Sequence, residues 1–94
     1  MPKPKPQVSE LATLLTSVGD RSALGQLLDD LLTPTEIQTI LERWSTMSLL
    51  LEGHTHRDVQ KTVEISISKV THAANLLKSG GKGVRLLHRK ITGK

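Results

Sequence analysis

Cysteine, tyrosine and phenylalanine are all missing from this chain of 94 residues, and tryptophan occurs once, as Trp44. The absence of cysteine excludes disulfide staples, thiolate metal sites and cysteine nucleophiles together. A core of this size ordinarily draws buried area from several aromatics. Here leucine must supply it, in a chain that is only 36% apolar, so a core shared with a partner subunit is expected. No apolar run approaches the roughly 18 residues needed to span a bilayer. The opening MPKPKPQ is basic but leads into no apolar core. It therefore does not read as a secretory signal, and a cytoplasmic location is expected.

Charge is present but unevenly placed. Residues 1–52 carry four basic and seven acidic groups, a balance of −3, whereas residues 53–94 carry nine basic and two acidic, a balance of +7. That polarity suggests that the C-terminal half faces a polyanion; a solvated basic face is the plainer alternative.

The pattern is helical throughout. Alternate prolines in Lys3-Pro4-Lys5-Pro6 remove amide donors and fix φ, so residues 1–7 read as a disordered basic arm. It serves either as a solubilising tail or as an arm along DNA. Residues 8–94 read as one all-α domain of about six short helices. Val8, Leu11, Leu14, Leu15 and Val18 recur at helical spacing and stop at Gly19. Leu24, Leu27, Leu28, Leu31 and Leu32 follow, capped by Asp20 or Ser22. Thr33-Pro34-Thr35-Glu36 then supplies an N-cap, a proline at the first helical position and a glutamate that closes a capping box. The helix it opens carries Ile37, Ile40, Leu41, Trp44, Met47, Leu50 and Leu51 and ends at Gly53. So broad a stripe predicts burial on more than one side, again by a dimer. Gly80-Gly81-Lys82-Gly83 reads as a flexible hinge before a last amphipathic helix, with Val84, Leu87 and Ile91 on one side.

Between them, residues 55–79 have the outline of a helix-turn-helix. Thr55 caps a short helix and Asp58, three residues on, completes a second capping box; Val59 and Val63 share its apolar face. Glu64-Ile65-Ser66 connects to a longer helix, capped by Ser66, whose apolar side is marked by Ile67, Val70, Ala73, Ala74 and Leu77. The first exposed residues of such a helix enter the major groove and should be small and polar. Ser68, Lys69, Thr71 and His72 fit, with Asn75 and Lys78 further along for phosphate and Arg57 for phosphate or a guanine edge.

Other chemistry finds no support. His54 and His56 stand two apart at a helix start, with His72 and His88 distant and no partner ligand at i+4, so no metal site is predicted. The two paired histidines are better placed to face phosphate. The glycine-rich stretch follows a helix and not a strand, and no nucleophile has a base, so no catalytic residue is nominated and the chain does not read as an enzyme. The basic last helix has the makings of an interfacial segment, but packing back on the domain suits it better, and no membrane partner is expected.

Residues 31–78, LLTPTEIQTILERWSTMSLLLEGHTHRDVQKTVEISISKVTHAANLLK, cover about half the chain and resemble the tryptophan repressor family. The family has a similar LLTP-x-E opening and a central helix ending in LL-x-G. A QREL-like helix follows, and then a second helix of the form I-x-x-I-T-R-G-S-N-x-L-K. The resemblance implies an intertwined homodimer that represses transcription by occupying a palindromic operator on double-stranded DNA. Base-proximal positions of the family fall on Arg57, Ile67, Ser68 and Thr71, and phosphate-proximal ones on His56, Lys69, Thr71, Asn75 and Lys78. One residue fewer stands before His56 than in the family pattern.

The resemblance also implies a corepressor pocket, with Thr33, Arg43 and His72 at ligand-binding positions, Thr33 being explained equally by its cap. Here the sequence departs from the pattern. His72 replaces a second arginine, Ala73 a glycine and Leu76 a serine that would meet the ligand amine. An added methyl and a lost polar partner each cost roughly 1–3 kcal/mol, which weighs against tryptophan. Three options stay open: no cofactor, another small molecule in a more apolar pocket anchored by Arg43, or tryptophan in an altered pose. A helical protein-interaction module and a non-specific DNA-coating protein are the competing functions.

Overall fold

The computed structural model describes residues 7–93, and all regular structure in them is α-helical. The order is α1 (Val8–Thr16), α2 (Arg21–Leu31), α3 (Pro34–Leu51), α4 (His56–Val63), α5 (Ile67–Ser79) and α6 (Lys82–Thr92). The six-helix, all-α expectation holds. The basic arm expected over residues 1–7 lies outside the described residues except for Gln7, which precedes α1. The described chain divides into two units, one ending at Glu36 and the next beginning at Ile37.

In the first unit, Gly19 takes a left-handed φ of +88° after α1, a conformation glycine adopts without Cβ strain. Asp20, and not Ser22, caps α2: its Oδ1 accepts from the Ala23 amide at 2.8 Å. Neither α1 nor α2 buries a single residue. At Thr33 the capping box is complete. The Glu36 amide donates to Thr33 Oγ1 at 3.1 Å, and the Thr33 amide donates to Glu36 Oε1 at 2.9 Å. The bond from the Thr33 amide, and then that involving its hydroxyl, hold the Glu36 carboxyl below its ordinary range.

In the second unit, Met47 of α3 packs with Ala73 and Leu77 of α5, flanked by Leu50, Leu51 and Val84. Val59 of α4 and Val70 of α5 are wholly buried, and these two helices pack against each other. Buried Thr46 donates to the Glu42 carbonyl at 2.7 Å, satisfying its hydroxyl within α3.

Two expectations are corrected here. The last helix does not bury Leu87 and Ile91, which stay exposed; it turns Val84 and His88 inward. Val84 and His88, four apart, share a stripe next to that of Leu87 and Ile91, and Val84 selects the former by packing on the Met47 cluster. The glycine-rich stretch is also not a loose hinge. Lys82 and Gly83 are helical, so the connection is Gly80-Gly81 alone. Gly81 has φ +77°, and a Cβ there would come within 2.9 Å of Leu77 Cδ2. It is a packed corner.

Candidate nucleic-acid interface and adjoining pocket

The reading head is built from two caps and one left-handed residue. Thr55 Oγ1 accepts from the Asp58 amide at 3.1 Å and starts α4. α4 ends at Glu64, whose φ of 61° and ψ of 48° turn the chain while its amide donates to the Gln60 carbonyl at 2.9 Å. The sequence places a connector here but does not mark its left-handed residue, because left-handed backbone favours glycine or asparagine over glutamate. Ser66 Oγ then accepts from the Lys69 amide at 3.3 Å and starts α5.

With Val70, Ala73 and Leu77 buried, the helical period turns the positions between them outward. Ser68, Thr71, His72, Asn75 and Lys78 are all exposed, and Ile67 is 47% exposed even though its spacing had marked it apolar. His56 and Arg57 are exposed in the first turn of α4. Lys69 is exposed too, but its Nζ lies 3.7 Å from Glu42 Oε1 on α3. An ion pair so open to water contributes roughly 0–1 kcal/mol.

A cavity of about 210 Å³ lies between α3 and α5, with Glu42, Arg43 and Met47 on one wall and His72, Ala73 and Leu76 on the other. The fold thus brings Arg43 and His72 together, as their nomination required. The Thr33 hydroxyl is engaged in the cap of α3. Glu42 was not singled out in the sequence. It pairs with Lys69 through Oε1 and accepts from Gln38 Nε2 at 3.2 Å through Oε2, so it links both cavity walls.

Two further residues escaped sequence reasoning. Arg85 reaches back from α6 to the carbonyls of Leu77, at 3.0 Å, and Gly80, at 3.5 Å. His88 is buried, with its Nε2 at 3.9 Å from Glu52 Oε2; that nitrogen has no hydrogen-bond partner among the described residues. Both depend on α6 folding back, which no local pattern encodes. Among the described residues no group of three histidine or carboxylate side chains is placed to hold a metal, and no helix is long and apolar enough to cross a membrane.

Residues 6–91, nearly the whole chain, match the protein-family model described as Trp repressor protein. No curated protein and no solved structure matches the chain.

Proposed function

This chain belongs to the Trp repressor family, which is made of DNA-binding transcriptional repressors and not of enzymes, and we propose that it binds a palindromic operator sequence-specifically as a homodimer. One observation carries this reading: α5 keeps Val70, Ala73 and Leu77 in the core while Ser68, Thr71 and Asn75 face outward on the half of the chain with a charge of +7. Short hydroxyl side chains at the front of a capped helix suit base edges in the major groove. Arg57, Ile67, Ser68 and Thr71 are the base-proximal set; His56, Lys69, Asn75 and Lys78 meet phosphate.

The homodimer is supported by apolar surface that one chain leaves uncovered. Val8 is 84% exposed, and Leu11, Leu14, Ile40 and Leu41 are each at least half exposed. An intertwined partner would cover such residues and make residues 8–94 one shared domain. Two reading heads would then lie about one DNA turn apart. A cytoplasmic location goes with this role.

The effector reading follows the cavity wall. Arg43 offers an anionic group a partner, and Met47, Ala73 and Leu76 offer an apolar surface. An α-amino group is poorly served: Glu42 is already engaged by Lys69 and Gln38, and Ser68 Oγ lies 3.1 Å from Ser66 Oγ. Tryptophan does not fit this donor set well. We therefore rank ligand-free DNA binding first and a small apolar carboxylate second.

Selection of bound duplexes from a random pool, with and without tryptophan, tests the proposal. A recovered palindrome whose affinity falls steeply with salt and is unchanged by tryptophan is the expected result. Equal binding to every duplex would instead indicate DNA coating, and no binding would indicate a protein-interaction module.

A further inference from the structure

The last four carbonyls of an α-helix have no partner within the helix, and the negative end of the helix dipole lies there. For α5 these are the carbonyls of residues 76–79. Leu76 accepts from the Ser79 hydroxyl at 3.3 Å. Leu77 is different: its side chain is buried in the Met47–Ala73 core, and its carbonyl accepts from Arg85 Nη2 at 3.0 Å. The same guanidinium turns Nε toward the Gly80 carbonyl at 3.5 Å. A delocalised cation that is a rigid fork of donors thus closes the negative end of the recognition helix. Its neighbour Val84 packs on the same core, so α6 is anchored where Arg85 springs from it. Gly81 leaves the passage open, since a Cβ there would lie 2.9 Å from Leu77 Cδ2 and 3.8 Å from Arg85 Nε.

We propose that Arg85 is a positioning residue: it clamps the C-terminal end of α5 to α6 and so sets the angle at which Ser68 and Thr71 meet DNA, without being a phosphate contact itself. This rests on the operator-binding reading above. Composition would count Arg85 with the phosphate-binding cations of the basic half, whereas two of its five N–H donors are directed at backbone carbonyls.

The test measures operator affinity of the folded full chain by fluorescence anisotropy across a potassium chloride series, beside amide exchange of the last turn of α5. Arg85→Met keeps the apolar stem and removes the fork; Arg85→Lys keeps the charge. Lys78→Ala serves as the phosphate-contact comparison. Arg85→Met should weaken operator binding roughly ten-fold at every salt concentration, a loss in the range expected for a charged hydrogen bond. It should leave the salt slope unchanged, lower the preference for operator over random duplex and speed exchange at the end of α5. Arg85→Lys should recover part of each loss, and it carries the test alone if the methionine variant does not fold. A salt slope shallower by about one, as expected for Lys78→Ala, would make Arg85 a phosphate contact and overturn the proposal. So would unchanged affinity and exchange. If the unaltered protein prefers no duplex, the operator reading itself fails, and that outcome is seen before any variant is made.

Discussion

Single side chains in this protein divide between those that shape helices and those left over for recognition, and the two groups respond to different measurements. Glu36 belongs to the first. Its carboxyl is held below its ordinary value near 4.5 by the hydrogen bonds at Thr33. A group whose folded value is depressed contributes stability that is complete above the unfolded value and vanishes as pH falls through the folded one. Glu36→Gln should therefore lower the melting temperature at pH 6, and that deficit should shrink as pH falls below the ordinary value of 4.5; a deficit of constant size would show that the carboxylate is not what matters. Thr71 and Lys78, both exposed on α5, are assigned to the second group by the proposed function. Thr71→Ala should reduce discrimination at one base position by about 1–3 kcal/mol, while Lys78→Ala should weaken all sequences alike and cut the salt slope by about one. Competition binding with single-base variants of the selected operator separates the two; identical profiles would refute the assignment.

Among helices and their junctions, the α5–α6 corner is where conformation and packing coincide. Gly81 is left-handed, and its missing Cβ makes room for Leu77. Left-handed backbone alone costs a residue with a Cβ about 1–2 kcal/mol, so Gly81→Ala should destabilise by at least that amount in urea unfolding. Gly83 stands two residues away inside α6 with open space around it, and Gly83→Ala should be neutral or stabilising by up to about 1 kcal/mol. Equal effects at the two sites would mean that the corner is not packed as described. Caps at Thr33, Thr55 and Ser66 were legible because each is a local hydrogen bond to an amide three residues on, whereas the choice of Asp20 over Ser22 came from the structure. The inward face of α6 was not. Val84, Leu87 and Ile91 share one stripe and Val84 and His88 another, and only contact with Met47 and Leu77 decides between them.

For the molecule as a whole, the decisive quantity is the apolar surface left exposed, with Val8 84% and Ile91 65% accessible. α1 and α2 have no fully buried residue, and α3 fully buries only Thr46 and Met47 in spite of its broad stripe. A homodimer predicts that the melting temperature rises with protein concentration, as mass action requires when the folded state is dimeric, and that Leu14→Glu lowers it and shifts the species toward monomer in sedimentation. A monomeric mass with a concentration-independent melting temperature would dispose of the dimer. Trp44 emission offers a convenient probe, since it is the only indole in the chain.

Helix positions, caps and the polar face of α5 followed from the sequence alone, because each rests on interactions within about four residues, where spacing is geometry. So did the split between an acidic and a basic half. The left-handed backbone of Glu64 came only from the structure, and so did the contacts reaching beyond a single helix: Glu42 with Lys69, Arg85 with the end of α5, and His88 against Glu52. Each depends on which stripe of a helix meets the core, and several stripes of similar hydrophobicity compete until packing selects one.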